Sequence, residues 1–293
     1  MADHPQLRIG TCSWNYDSWV DLVYSEPRSR AVDYLGEYAA RFDTAEIDSW
    51  FYRVPDSATI AEYLAAVPDG FRFTCKVPQQ ITLTHKRPPR RGPSASPSSG
   101  AARLEANPDF LSVDRFTEFL AAIEPMLPRI DAIMLEFEYL NRQKMTGGRD
   151  LLSRLAAFFG AVPGGPRYAV EPRNPGYLTA EWFDTLCERG VAHVFSQKIH
   201  MPPIWEVYTD RRDAVARCGH AVIRLLGGDR KEIERVTGGS WDRIVDPRPE
   251  ELDRIAEMVR SMLDDGVSVT VSVNNHYEGS APRTVESLRE RLA

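Results

Sequence analysis

Eight short runs rich in β-branched and apolar residues recur along the chain. Each is followed by turn residues and then by a stretch with helical spacing. The runs are 7–12 (LRIGTC), 44–50 (TAEIDSW), 71–77 (FRFTCKV), 132–138 (AIMLEFE), 167–173 (RYAVEPR), 191–196 (VAHVFS), 220–226 (HAVIRLL) and 267–274 (VSVTVSVN). Helical patterns lie between them, at 31–42, 113–127, 179–190 and 249–266 for example, and one more at 282–292 closes the chain. Strand followed by helix, repeated in this way, is the signature of parallel βα units. Eight repeats predict a (β/α)8 barrel, a TIM barrel, formed by residues 1–293 as one domain. An open doubly wound sheet is the competing architecture, but no GxGxxG follows the first run, and the TCSW found there is a poor phosphate cradle.

Composition limits the alternatives. With 43% hydrophobic and 27% charged residues, the chain can bury a large core and is neither collagenous nor disordered throughout. Its net charge of −6 argues against a generally basic, nucleic-acid-type surface. No apolar run approaches the ~18 residues of a membrane helix. The opening MADHPQLRIG lacks an apolar signal core, so a cytoplasmic location is expected. Cys12, Cys75, Cys187 and Cys218 are dispersed without a CxxC pair, which suggests reduced thiols and no zinc cluster.

One segment breaks the rhythm. Residues 86–103, after the third strand, carry five basic side chains, no acid, four prolines and four serines. Such a stretch cannot bury apolar surface and reads as a mobile loop. It lies on the face where barrel active sites sit, as a lid over the site or as a passive solvated insertion.

Alternate residues of a strand share a face, so polar residues at i, i+2 and i+4 near a strand's C-terminal end point into one cavity. Strand two offers Thr44, Glu46 and Asp48, and strand three Arg72, Thr74 and Lys76. Strand five offers Glu171 and Arg173, strand seven Arg224, and strand eight Ser268, Thr270, Ser272 and Asn274. Charges of both signs on otherwise apolar strands must pair or line a wet pocket. A barrel-filling salt-bridge lattice and a catalytic site both satisfy that demand, and convergence on the C-terminal mouth favours the site.

Roles follow from chemistry. Glu171, between Lys76 and Arg173, is placed to act as a base or electrostatic anchor, with Lys76 as the complementary acid. A Schiff base on Lys76 is disfavoured, because adjoining carboxylates hold its amine charged. Arg173 and Arg224 suit bidentate capture of a carboxylate or phosphate. The run 274–279, NNHYEG, supplies Asn274, Asn275, His276 and Tyr277 either as ligand contacts or as turn and cap chemistry. His85 is a further titrating candidate, and Trp14, Trp50 and Tyr52 are candidates for stacking on a ligand. Glu46, Asp48, Glu171 and His276 together would suit a divalent metal, although no fixed-spacing motif supports one and no cofactor is otherwise evident.

The blocks IGTCSW (9–14), TAEIDSWFYRVP (44–55), FRFTCKVPQQITLTH (71–85), YAVEPRN (168–174) and NNHYEGSAP (274–282), in this order, resemble the YecE-like family, also called domain of unknown function 72. The likeness covers nearly the whole chain. It implies a TIM barrel with polar groups at the strand ends and no established reaction. Position by position, the family's strand-end groups fall on Glu46, Lys76, Thr84, His85, Glu171, Arg173, Arg224, Asn274, Asn275 and His276. Two departures stand out. Leu226 in RLLGG replaces a family histidine, and EFEY brings Glu136 and Glu138 where the family reads Gln-x-Pro-Pro.

The expectation is therefore an acid/base enzyme, a hydrolase or isomerase, acting on a small anionic, sugar-like or phosphorylated substrate. Glu171, Lys76, Glu46 and His276 would be catalytic. Arg173, Arg224, Asn274, Asn275, Tyr277, Asp48, His85 and Trp14 would bind substrate. The alternatives are a metal-dependent hydrolase or isomerase using Glu46, Glu171 and His276, and a non-catalytic module that binds an anion or, through the basic loop, nucleic acid.

Overall fold

A computed structural model describes residues 6–86 and 104–293. Eight strands form a closed barrel in sequence order: β1 (Leu7–Cys12), β2 (Thr44–Ile47), β3 (Arg72–Lys76), β4 (Ile130–Glu136), β5 (Tyr168–Glu171), β6 (Val191–Lys198), β7 (His220–Gly227) and β8 (Ser268–Val273). Every neighbouring pair is parallel, and β8 closes on β1 through Leu7 to Thr11. The predicted TIM barrel is the observed fold.

The helices are α1 (Leu35–Ala39), α2 (Ser57–Ala66), α3 (Gln79–Thr82), α4 (Val113–Ala122), α5 (Gly148–Ala161), α6 (Ala180–Glu188), α7 (Ile204–Cys218), α8 (Arg230–Thr237), α9 (Pro249–Asp264) and α10 (Ala281–Leu292). Their starts carry local caps. Asp56, Ser112 and Thr179 accept backbone N–H bonds from Thr59, Arg115 and Trp182, filling donors that the first turn leaves open. The helix expected over 113–127 ends at Ala122. Pro125 has no N–H to give, and a 3-10 turn, Glu124–Arg129, takes its place. α9 stops at Asp264 ahead of Gly266 at φ 78°, the stop that Asp-Asp-Gly predicts.

Side-chain alternation divides the barrel. One parity of the strands, including Ile47, Phe73, Leu135, Val170, Ile223 and Val271, packs outward under the helices in the main core. The other parity forms a small plug of its own: Ala132, Met134, Ala169, Ala192, Val194 and Val222. Met134, Ala169, Val194 and Val222 of this plug precede Glu136, Glu171, Ser196 and Arg224 by two positions on the same strands, so those polar groups stand directly above it on the inner face.

Two glycines make close approaches possible. A Cβ on Gly10 would lie 1.7 Å from the Thr44 carbonyl oxygen, so only glycine lets β1 lie this close to β2. Gly227 has φ 80°, and a Cβ there would fall 2.3 Å from the His276 carbonyl oxygen, which sets the turn after β8 tightly against the end of β7. All four cysteines are free, with Cys12 and Cys75 buried. Among the described residues no helix is long and apolar enough to cross a membrane. Apart from Lys86, the basic loop 86–103 lies outside the described residues.

Candidate active site at the barrel mouth

Arg224 is the hub of the inner face. Its Nε and Nη2 donate to the two carboxylate oxygens of Glu46 at 2.7 and 2.6 Å, and Nη1 donates to Glu171 at 2.5 Å and to Glu136 at 3.1 Å. Arg173 pairs with Glu136 at 2.9 Å and with Glu171 at 2.8 Å. The Ser196 hydroxyl donates to Glu171. Lys76 lies against Asp48, 3.1 Å from Glu136 and 3.6 Å from Glu46. Groups from β2, β3, β4, β5, β6 and β7 thus meet at the C-terminal end of the barrel.

The network has two tiers. Glu46 and Glu171 are fully covered and Arg224 nearly so, whereas the side chains of Arg173, Lys76, Glu136 and Asp48 keep 10%, 12%, 20% and 32% of their surface exposed. A solute arriving at the mouth meets the second set. Glu171, expected as a catalytic base, is fully covered and pairs with Arg173 and Arg224. Glu136 is the carboxylate that faces outward beside both cations.

Burial and ion pairing compete at each group. Burial, reinforced by Asp48, pushes the Glu46 carboxyl up to about 7 against the pull of Arg224 and Lys76. Burial also works to raise Asp48, but Lys76 and Arg224 overcome it and hold Asp48 below the usual carboxylate range. For Glu136 burial is outweighed more strongly, by Lys76, Arg224 and Arg173, and the group sits well below that range. Lys76 is opposed by burial and by Arg224, yet Asp48, Glu46 and Glu136 keep it charged. Two neighbouring carboxyls, Glu46 and Asp48, thus have proton affinities moved in opposite directions.

The 274–277 run turns away from this centre. Asn274 accepts the His276 backbone N–H at 3.0 Å and contacts the ring Nδ1 at 2.5 Å. His276 reaches Glu234 of α8 at 3.2 Å and meets Trp241 edge-on. Burial lowers its pKa against the pull of Glu234, keeping the imidazole neutral. Asn275, almost fully buried, accepts from Ala281 N–H at the start of α10, and the buried Tyr277 donates to Glu251 of α9 at 3.1 Å. These are turn, cap and helix-docking bonds, so Asn275, His276 and Tyr277 are not part of the mouth network.

Other expectations change for similar reasons. Trp14 is buried, donates to the Ala31 carbonyl at 2.7 Å and packs edge-on against Tyr63 and Phe73; it is core, not a stacking platform. Trp50 packs against Phe119, and Tyr52 is exposed. His85 bonds the Thr84 hydroxyl and pairs as an isolated bridge with Ala106, bracing the base of the basic loop. The metal set of Glu46, Asp48, Glu171 and His276 does not assemble, because His276 is engaged by Glu234 and Asn274 while cations occupy the carboxylates. Among the described residues no three His, Cys, Asp or Glu side chains are placed to hold a metal ion together.

Sequence reasoning left Glu136, Ser196 and Lys198 out of the site. The signals were present. Strand four ends in acidic residues, and β6 continues for two polar residues past Ser196, where the predicted strand stops.

A closed parallel barrel whose mouth gathers buried and half-buried charges of both signs defines a TIM-barrel protein with a polar strand-end centre. The family model described as protein of unknown function DUF72 matches residues 8–293, and the chain belongs to that family, the same one as YecE-like. It is similar in fold to a DUF72 family protein from Thermotoga maritima, at 19% identity and TM-score 0.67 over 98% of each chain. It is likewise similar to one from Enterococcus faecalis, at 19% identity and TM-score 0.64, covering 98% of this chain and 95% of the other. A search of curated proteins finds no match.

Proposed function

We propose that this protein is an acid/base enzyme acting on a small anionic, sugar-like or phosphorylated substrate at the C-terminal mouth of the barrel, by hydrolase or isomerase chemistry. The observation that carries the reading is the two-tier network. A covered tier of Glu46, Glu171 and Arg224 fixes the charge and orientation of a reachable tier of Asp48, Lys76, Glu136 and Arg173. A lattice needed only to fill the barrel has no use for exposed tips at that end, the end where barrel enzymes carry their chemistry. In this reading Glu46 stores a proton near neutrality and Asp48 beside it is the ionised base. Glu136 and Lys76 polarise the reacting group, and Arg173 holds the anionic end of the substrate.

Thermal-shift titration with a panel of sugar phosphates, sugar acids and neutral sugars tests this. Anionic members should raise the Tm of the native protein by mass action, and Arg173→Ala should remove that rise. If no anionic member stabilises the protein, or if Arg173→Ala responds as the native protein does, the reading is wrong.

A further inference from the structure

The mouth holds a second amine. Lys198 is the last residue of β6, paired with Gly227 of β7, and its carbonyl accepts from Met201 N–H at 3.1 Å. Its neighbours fix which way it points. Gln197 faces outward, donating to Glu251 of α9 at 2.8 Å and accepting from Ile204 N–H at 3.2 Å. Ser196 faces inward, to Glu171. The β6–β7 register shifts between Gln197 and Lys198, the extra residue being Leu226 on β7, so β6 keeps its own alternation and Lys198 shares the inward parity of Ser196, within the electrostatic reach of Arg173, Glu171, Glu136 and Arg224.

Its charge environment differs from that of the other mouth cations. Lys76, Arg173 and Arg224 each engage at least two carboxylates. Among the described residues Lys198 forms no ion pair, whereas Glu136 and Glu171 both pair with Arg173 and Arg224. Burial first, then Arg173 and Arg224, lower the Lys198 pKa below the ordinary lysine value against Glu171 and Glu136. Its side chain is half-buried. A desolvated amine beside other cations is the environment that makes a lysine nucleophilic.

We propose that Lys198 is a catalytic nucleophile, whose amine forms an imine with the aldehyde or ketone of a small anionic oxo-compound. This rests on the mouth being the acid/base site and narrows its substrate class to carbonyl compounds. The Nζ lone pair forms the C–N bond while the carbonyl π pair moves onto oxygen. One proton passes from nitrogen to that oxygen, giving a neutral carbinolamine. A second proton, supplied by the site's acid, lets the hydroxyl leave as water and leaves a protonated imine, which water later hydrolyses. Arg173 takes the substrate's anionic group.

The chain has five lysines, Lys76, Lys86, Lys144, Lys198 and Lys231, so a lysine adduct is readily assigned. The intact protein is incubated near neutral pH with pyruvate, glyceraldehyde 3-phosphate or pyridoxal 5′-phosphate, reduced with sodium borohydride and mapped by peptide mass. With at least one probe, Lys198 should carry roughly tenfold more reduced adduct than Lys86, Lys144 or Lys231, as a desolvated amine beside other cations does against solvated ones. Lys198→Arg should abolish the excess while leaving Tm unchanged. Even labelling of all lysines, or an excess that survives Lys198→Arg, overturns the proposal. If anionic ligands stabilise the protein through Arg173 and Lys198 stays unlabelled, the imine falls and the acid/base reading stands. If Lys198 is labelled and Arg173→Ala changes nothing, the reverse holds.

Discussion

Two regions at the strand ends look alike as residue lists and behave differently in space. Glu46, Lys76, Glu136, Glu171, Arg173 and Arg224 come from separate strands, point inward and engage one another across the barrel axis. Asn274, Asn275, His276 and Tyr277 come from one turn, and their groups bond to that turn or to α8, α9 and α10. The first region is held by charge pairing across the barrel, the second by hydrogen bonds to its own turn and to the helices beside it. Polar density marks a site only where the backbone directs it toward a common space.

The most damaging way to probe the difference is Arg224→Met. It leaves Glu46 and Glu171 covered without their main partner, and denaturant unfolding should show a loss of about 3–5 kcal/mol, or no folded protein at all. A loss under about 1 kcal/mol would mean that the network is wet and replaceable. A smaller effect is expected from pH. The Glu46 carboxyl rises from its ordinary 4.5 to about 7 on folding. Between those values the folded protein binds the extra proton, so this contribution is fully present below about 4.5 and is lost as pH rises through 7. Its size is on the order of 3 kcal/mol, and Glu46→Gln should flatten that slope in a stability–pH series. A native curve already flat over this window would refute the assignment of Glu46 as the proton store. The smallest effect belongs to the turn. Asn275→Ala should cost about 1–2 kcal/mol by freeing the Ala281 N–H, and should leave any ligand-induced rise in Tm unchanged. A lost ligand response there would erase the distinction between the two regions.

The sequence made the barrel readable because both of its periodicities are strong. Apolar strand runs alternate with helical patterns, and caps such as Ser112 and stops such as Gly266 mark the joins. Within the site, Glu46, Lys76, Glu171, Arg173 and Arg224 were legible because strand parity alone decides which way they face. Trp14 was misread because proximity in sequence to a strand end says nothing about which side of the sheet an indole enters. Asn275 was misread because an amide that caps a helix and one that binds a ligand look the same in one dimension. Lys198 was missed for a different reason: Gln197 and Lys198 are two polar residues in succession, so the end of β6 passed for loop.

The charges at the mouth are divided unevenly between the two halves of the chain. The half carrying β1 to β4 contributes Glu46, Asp48 and Glu136 against Lys76, an excess of acid. The half carrying β5 to β8 contributes Arg173, Arg224 and Lys198 against Glu171, an excess of base. Neither half, closed on itself, could neutralise what it buries. Folding is therefore expected to be cooperative across the whole barrel, with a half-barrel intermediate penalised by its own unmatched charge, and the two halves, expressed as separate fragments, should be drawn together by what each lacks.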